Sequence, residues 1–183
     1  EGSKLMAKLE HQHIAPIYDV GFYDNKPFVV VKYLRNGSVQ RMLDQQRLIS
    51  ISEKIRLLKE TADALDFAHS EGIIHGDIKP SNLQLDKLDH IHIIDFEPHV
   101  NIAMIDVKKQ YGNSHFYMSP ERLEGRNLSA QSDIFSLGIT SFVLLSGKFP
   151  FEANTLDEHI VIRRKNKPLQ VTDFSTQVNH VLE

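Results

Sequence analysis

The chain has 183 residues, of which 41% are hydrophobic and 25% charged, a balance typical of one globular domain or of a large part of one. Its formal charge of −3 and pI near 6.4 give no indication of a nucleic-acid-binding surface. The absence of cysteine excludes disulfides and thiolate metal sites within the chain, and no apolar run could span a bilayer, so we expect a cytoplasmic protein with an anchor outside this chain left open.

The first part of the chain is predicted to form a helix end, a hairpin and a short helix. Residues 4–10 carry leucine and methionine at helical spacing, which indicates the end of a helix. Residues 17–22 and 28–33 are apolar and β-branched, and the polar stretch between them predicts a hairpin turn. Residues 36–38 break the strand pattern, and we expect a short polar helix to follow and to end near residue 46.

The middle of the chain combines a long helix with two short strands. Either Ser50 or Ser52 can cap the helix, whose apolar stripe runs to about residue 69. Residues 83–85 and 91–94 are strand candidates on either side of a polar turn. These elements place a conspicuous polar stretch between the helix and the first of the two strands.

The last part of the chain is predicted to be mostly helical. Residues 98–119 show little periodicity and predict a long loop, which is usually functional in a compact domain. Residues 133–145 are apolar nearly all the way round and predict a buried central helix. The basic cluster at residues 163–165 is expected to be a solvated helix end. Because strands come first and helices follow, we predict an α+β fold.

The polar stretch at residues 74–82 carries the side chains with the clearest chemical meaning. Asp77, Lys79 and Asn82 put a carboxylate, an ammonium and a carboxamide on one short segment, and Asp95 follows at the end of another apolar run. Hard cations prefer oxygen ligands, and phosphate attracts an ammonium group. This set of side chains therefore indicates a site for a polyphosphate with bound Mg²⁺.

Four separate stretches resemble the signature set of the protein kinase family, which includes a catalytic loop H-R-D-x-x-x-x-N, a D-F-G and an A-P-E. They are His75-Gly76-Asp77 with Asn82, Asp95-Phe96-Glu97, Ser119-Pro120-Glu121, and Asp133-Ile134-Phe135-Ser136-Leu137-Gly138, which is similar to the start of the family's central helix. The order and spacing of these stretches also fit the pattern of the family. The resemblance implies a protein-kinase-like fold of the eukaryotic-like (Hanks-type) serine/threonine class.

The resemblance also implies how the chain is divided. Residues 1–31 would be the remainder of the N-lobe with the end of its sheet, residues 32–35 the hinge, and residues 36–183 a mostly helical C-lobe, incomplete at its end. No glycine-rich loop and no strand lysine of the kind that the family uses on ATP precede residue 1. We therefore expect a kinase domain truncated at both ends, with little activity as an isolated chain.

The family's catalytic roles can be carried onto matching positions of this sequence. Asp77 would accept the proton of the substrate hydroxyl, and Lys79 would neutralise charge on the transferring phosphoryl group. Ser114 falls where the family has a hydroxyl residue that bridges this aspartate and lysine. The presence of Lys79 makes the loop similar to that of the serine/threonine branch, because tyrosine kinases usually lack this lysine. The resemblance thus implies an enzyme that phosphorylates a protein substrate.

The family's cofactor contacts can be carried over in the same way. Asn82 and Asp95 would hold Mg²⁺. The backbone groups of Lys32 and Leu34 in the hinge would contact the adenine of ATP. Gln84 stands at a strand position that usually forms an apolar floor beneath adenine, so a glutamine is unusual there.

Two departures from the family pattern bear on regulation and activity. Gly76 replaces an arginine that commonly binds an activation-loop phosphate, and residues 98–110 contain no serine, threonine or tyrosine. We therefore predict that activity does not depend on a loop phosphate docking beside Asp77. Glu97 replaces the glycine of D-F-G, which could inactivate the site or be tolerated, as in choline-kinase-like enzymes that carry the same Ile-Asp-Phe-Glu.

Three functions therefore stay open at the level of the sequence. The first is an ATP-dependent serine/threonine protein kinase. The second is a pseudokinase that keeps the fold as a binding or scaffold module, as Glu97 and Gln84 would allow. The third is a choline- or aminoglycoside-type small-molecule kinase, which Lys79 and the segment through Ser119-Pro120-Glu121 disfavour.

Overall fold

The computed structural model of the protein describes residues 9–24, 26–96 and 112–151, together with residues 158 and 161–163. Most of the helix predicted at residues 4–10 lies outside these ranges, as do Glu97 and residues 98–111. Within the described ranges, no helix is both long and apolar enough to cross a membrane.

The chain begins its regular structure with an antiparallel hairpin of strands β1 (Ile17–Tyr23) and β2 (Lys26–Val31). The predicted turn was too long and the second strand was placed too late, because Tyr23 already pairs with Lys26. Asp24 has a φ of 49°, and such left-handed residues suit the tight turns whose twist matches a hairpin. After β2 the Lys32 N–H still donates to the Pro16 carbonyl at 3.1 Å.

Two helices follow, and each is capped by the serine before it. Helix α1 (Val39–Asp44) begins at Ser38, whose hydroxyl accepts the Arg41 N–H at 3.1 Å. Helix α2 (Ile51–Ser70) begins with a capping box. The Ser50 hydroxyl accepts the Glu53 N–H at 3.2 Å, and the Glu53 carboxylate accepts the Ser50 N–H at 2.8 Å. Of the two predicted caps, Ser50 is therefore the one that starts the helix.

Strands β3 (Leu83–Leu85) and β4 (Ile91–Ile93) form a second antiparallel pair, close to the predicted bounds. Backbone bonds extend this pair on both sides. The Leu85 N–H donates to the Gly37 carbonyl at 2.8 Å, and the Ile93 N–H donates to the His13 carbonyl at 2.8 Å. The segments before α1 and before β1 are thus attached to the same small sheet.

Two further helices are α3 (Pro120–Leu123) and α4 (Ala130–Ser146), and residues 161–163 are also helical. Helix α4 begins before the predicted residue 133, and Gly147 ends it in the left-handed conformation with a φ of 74°. The expectation of burial all round was wrong at Ile134, which is 54% exposed. A 3-10 helix at Gly112–Phe116 replaces part of the predicted loop.

The core consists of two groups of buried apolar side chains that both draw on α4. The first lies around α2 and the β3–β4 pair and includes Leu144. The second lies between α4 and the segment after the 3-10 helix, and its buried members are Tyr117, Ile139, Val143 and Phe151. The α+β class predicted from the order of elements is confirmed, and α4 is the element on which both groups pack.

Candidate active site

The loop between α2 and β3 is held from below by one buried carboxylate. Asp133 of α4 is 1% exposed, and its two oxygens accept the N–H groups of His75 and Gly76, each at 2.8 Å. The His69 Nε2 atom lies 2.8 Å from the same carboxylate. Gly76 has a φ of 83°, a left-handed conformation that favours glycine. These contacts set the direction in which the chain presents Asp77.

Lys79 joins the two other residues predicted to be catalytic. Its ammonium forms an ion pair with the Asp77 carboxylate and donates to the Ser114 hydroxyl at 2.8 Å. Ser114 lies in the 3-10 helix, 35 residues further along the chain. The lysine, rather than the predicted serine, is thus the residue that bridges the set. All three side chains are only partly exposed, which strengthens charge interactions among them.

Asn82 and Asp95 are brought to one end of the β3–β4 pair. Asn82 precedes β3 and Asp95 follows β4, and the Ile94 N–H donates to the Asn82 carbonyl at 3.0 Å. The Asn82 amide nitrogen donates to the Asp77 carbonyl at 2.9 Å and to its carboxylate at 3.2 Å. Because the amide nitrogen of the Asn82 carboxamide bonds to Asp77, the oxygen of the same carboxamide points away from Asp77.

This pair of residues fits a hard divalent cation. Asp95 is exposed, and its φ of 59° is a left-handed conformation that non-glycine residues adopt mainly where the surrounding structure enforces it. A carboxylate and a carboxamide oxygen are ligands of the kind that Mg²⁺ prefers. Within the described residues, no group of three or more histidine, cysteine or acidic residues could hold a metal ion by itself. Waters and substrate oxygens would have to complete such a site.

The segment around Asp95 is anchored by an aromatic contact. The rings of His75 and Phe96 lie 4.6 Å apart between centroids, and His75 Nε2 lies 2.9 Å from the Ile94 carbonyl. The Asp77 N–H donates to the other ring nitrogen of His75 at 3.0 Å. His75 therefore ties the segment of Asp77 to the segment of Asp95.

The residues predicted to contact adenine lie along one connected stretch of backbone. Lys32 follows β2, Leu34 is buried, and the Asn36 N–H donates to the Leu85 carbonyl at 3.2 Å. Gln84 forms a backbone bridge with Ser38, and its side-chain amide donates to the Ser81 carbonyl at 3.0 Å. The Gln84 side chain is thus engaged with the segment that carries Asn82.

Arg122 is a site residue that the sequence did not indicate. It belongs to α3, is 2% exposed, and its Nη1 atom lies 3.8 Å from the Asp77 carboxylate. Arginine is rarely buried this completely unless it is paired. Its sequence context, directly after Ser119-Pro120-Glu121, carries no periodic signal of burial. Asp77 therefore has a cation on each of its two carboxylate oxygens.

The segment between Ser114 and α3 is fastened by a second buried arginine. Arg163 donates to the carbonyls of Phe116, at 2.6 Å, and of Met118. It is 8% exposed, so the prediction of a solvated helix end was wrong at this residue. Burial lowers the pKa of Arg163 to about 10, which leaves the guanidinium charged at neutral pH.

Glu121 holds the start of α4 against α3. Its carboxylate accepts the Ser132 hydroxyl, and the Arg126 N–H donates to its backbone carbonyl at 2.8 Å. Burial acts to raise the pKa of Glu121, but hydrogen bonds, led by the one from Ser132, outweigh it and hold the pKa below its ordinary value. Glu121 is therefore an ionised structural residue at neutral pH.

Two further predictions concern residues outside the described ranges. Glu97 and residues 98–110 lie outside the described residues, so the effect of the missing D-F-G glycine and the independence from a loop phosphate both stay predictions. Gly76 lies within the described residues, and its N–H donates to Asp133 at 2.8 Å.

Comparison with known proteins places the chain among kinases. The model of the protein kinase domain family matches residues 2–182. A probable serine/threonine-protein kinase PknB of Lactococcus lactis is 32% identical over 82% of this chain and 24% of its own length. The serine/threonine-protein kinase PrkC of Bacillus subtilis is 29% identical over 81% of this chain and 23% of its own. Human receptor-interacting serine/threonine-protein kinase 1 is 26% identical over 92% of this chain and 28% of its own length. The chain thus spans about a quarter of the length of these relatives.

Proposed function

The chain belongs to the protein kinase domain family, and from this premise we propose that the protein is an ATP-dependent serine/threonine protein kinase. It would transfer the γ-phosphoryl group of ATP to serine or threonine hydroxyls of a protein substrate. The names of its relatives, which are serine/threonine-protein kinases from bacteria and from human, support this class of acceptor.

The observation that carries the proposal is the Asp77–Lys79–Ser114 set. It combines a carboxylate that can accept a proton, an ammonium that can neutralise phosphate charge, and a hydroxyl that holds the ammonium in place at 2.8 Å. In phosphoryl transfer the protein does little covalent chemistry, and positioning and charge stabilisation supply most of the catalysis. A set of side chains fixed by mutual contacts meets this requirement.

The reaction follows from these positions. The substrate hydroxyl oxygen attacks the γ-phosphorus, and the bond from that phosphorus to the bridging oxygen breaks with its electron pair leaving on ADP. The hydroxyl proton passes to the Asp77 carboxylate, which the backbone bonds to Asp133 keep in one orientation. Lys79 offsets the negative charge that is spread over the transferring group.

The remaining contacts concern the nucleotide and the metal. We propose that Asn82 and Asp95 hold Mg²⁺, which when bound neutralises charge on the polyphosphate. The Lys32 N–H is already used by Pro16, so Lys32 would offer adenine its carbonyl, and Leu34 would offer its N–H. Gln84 would border the adenine from the β3 side. The lack of cysteine supports a reducing, cytoplasmic location for the activity.

A phosphotransfer assay with the full-length gene product tests the proposal. Incorporation of labelled phosphate into serine and threonine of a generic protein substrate is expected, and Asp77→Asn should reduce kcat about 10²- to 10⁴-fold because the proton acceptor is lost. Asp66→Asn, an exposed position on α2, serves as the matched control and should retain the activity.

Two results would contradict the proposal. Equal labelling by the wild type and by Asp77→Asn would favour a pseudokinase or a contaminating kinase. Labelling of small alcohols such as choline, without labelling of any protein, would favour a small-molecule kinase.

A further inference from the structure

A cavity next to the catalytic lysine combines one acidic side chain with an aromatic wall. Its volume is about 730 Å³, and Lys79 and Ser114 form part of its lining. Ligand sites typically measure roughly 300–1,000 Å³. A cavity of this volume is about 9 Å across, enough for about three residues of an extended chain at about 3.3 Å each. A peptide that presents a hydroxyl to Asp77 would therefore place a neighbouring side chain in this cavity.

The charge of the cavity comes from α1. Lys79 is neutralised locally by its ion pair with Asp77. Among the described lining residues, Asp44 is the acidic one. Its carboxylate accepts a hydrogen bond from the neutral side-chain amide of Gln40 at 2.8 Å, which leaves its charge unbalanced by that contact. The lining therefore carries one negative charge that the Lys79–Asp77 pair does not offset.

The two arginines closest to Asp44 in the sequence are engaged elsewhere. Arg41 lies over Gly37, with its Cδ atom 3.0 Å from the position that a β-carbon would take there. Arg47 pairs with Asp89, to which its Nη1 atom donates at 3.3 Å. Neither arginine is thus placed to neutralise Asp44, although both are within three residues of it.

Another part of the cavity lining is aromatic. Phe116 and Phe149 lie 4.9 Å apart between ring centroids, and Tyr117 meets Phe149 edge-on at 5.3 Å. Burial raises the pKa of Tyr117 to about 12, and the negative charge of Asp44 adds to this effect, which places the carboxylate within electrostatic reach of the ring. A carboxylate that shares a cavity with aromatic rings suits a planar cation, because a guanidinium can stack on a ring while it donates to the carboxylate.

We propose that this cavity binds an arginine side chain of the protein substrate close to the phosphorylated serine or threonine. Asp44 pairs with the guanidinium, and the wall of Phe116, Tyr117 and Phe149 contacts its flat face. That the bound arginine belongs to a substrate with a phosphorylated serine or threonine depends on the proposed kinase function. That the cavity binds a cation depends only on the cavity itself.

Binding of short peptides to the full-length gene product tests this proposal independently of catalysis. Fluorescence anisotropy would compare labelled serine peptides that carry one arginine with peptides that carry glutamine or glutamate instead. The substituted position is moved through about three residues on either side of the serine. At one or more of these positions the arginine peptide should bind about fivefold more tightly than the glutamine peptide, the size expected for a solvent-accessible ion pair. This preference should weaken at about 0.5 M salt because of screening.

Variants of Asp44 identify the group responsible. Asp44→Asn should bring the ratio of arginine-peptide to glutamine-peptide affinity close to one, and Asp44→Lys should make the glutamate peptide the tightest binder of the three. The matched control Asp66→Asn should keep the wild-type ratio, because Asp66 does not line the cavity. Equal affinities for the arginine and glutamine peptides at every position, or an arginine preference that survives in Asp44→Lys, would overturn the proposal.

Phosphorylation of the same peptides separates this proposal from the proposed function. If labelling does not exceed that of Asp77→Asn, the kinase function fails, while the affinity ratios still decide whether the cavity selects arginine. If all peptides are labelled with equal kcat/KM and bind equally, the kinase function stands and the arginine selection fails.

Discussion

Asp77 is the residue at which the contacts of the site converge. Lys79 pairs with one oxygen of its carboxylate, and Arg122 lies 3.8 Å from the other. Its own N–H donates to His75, which Asp133 holds in turn. A carboxylate constrained from both sides presents a fixed direction to an incoming hydroxyl, and we infer that Arg122 acts by positioning Asp77.

Replacement of Arg122 tests this positioning role. Arg122→Met should lower kcat for phosphotransfer about tenfold or more, because small displacements of a catalytic group are costly. The KM for ATP should change little, since Arg122 is not among the residues proposed to hold the nucleotide. Steady-state kinetics of the full-length gene product measure both quantities.

The control for this prediction is Arg126→Met in the same segment. Arg126 is 61% exposed and pairs with Glu124, so its replacement should leave kcat unchanged. Partial recovery of kcat in Arg122→Lys, which keeps the charge, would support positioning through the cation. A fall in kcat that matches the loss of folded protein in every Arg122 variant would instead indicate a purely structural role.

One carboxylate adds polar contacts between helix α2 and strand β4. Glu60 accepts hydrogen bonds from Arg56 at 2.7 Å and from the Ile91 N–H at 2.9 Å. The Nδ1 atoms of His90 and His13 lie 2.8 Å and 3.9 Å from the same carboxylate. Burial acts to raise the pKa of Glu60, but these hydrogen bonds outweigh it and lower the pKa below its ordinary value of 4.5. Folding therefore favours the ionised form of Glu60.

This shift predicts a dependence of stability on pH. Because the folded-state pKa of Glu60 is depressed, its contribution is fully present above pH 4.5 and is lost as the pH falls through the lower folded value. At neutral pH, Glu60→Gln should lower the free energy of unfolding by about 1 kcal/mol. The difference from the wild type should disappear in strong acid, as urea denaturation at a series of pH values would measure.

Glu71→Gln, at the exposed end of α2, is the matched control. Its free energy of unfolding should differ little from that of the wild type, and the difference should not change as the pH falls. A Glu60→Gln difference that stays constant down to strong acid would show that packing, rather than ionisation, explains the effect.

At the scale of the whole molecule, helix α4 connects the two groups of core residues. Leu144 packs in the group around α2 and the β3–β4 pair, while Ile139 and Val143 pack in the group beside the 3-10 helix. The same helix carries Asp133, which holds the loop of Asp77. The geometry of the site is therefore coupled to the packing of α4.

A cavity made in α4 tests how much this helix contributes to the stability of the core. Leu144→Ala should lower the free energy of unfolding by about 3 kcal/mol, because a fully buried leucine is lost. Ile134→Ala on the exposed side of the same helix should change it by less than about 0.5 kcal/mol. Chemical denaturation measures both, and similar losses in the two variants would contradict the central position of α4.

The sequence by itself determined the local features of this protein. An apolar stripe with a serine cap predicted α2, and a continuous apolar run predicted α4, each to within a few residues. Asp77, Lys79 and Asn82 were predicted as site residues from their chemistry within one short segment. Ser114 was predicted only through the family resemblance, since nothing local distinguishes it from another loop serine.

Only the tertiary structure decided which distant groups meet and which charges are buried. The burial of Arg122 and Arg163 and the place of Asp44 in the cavity depend on segments far apart in the chain. Arginine prefers the surface on average, so its residue type predicts exposure. Whether such a group loses its water depends on the elements that pack around it, and no local pattern records that packing.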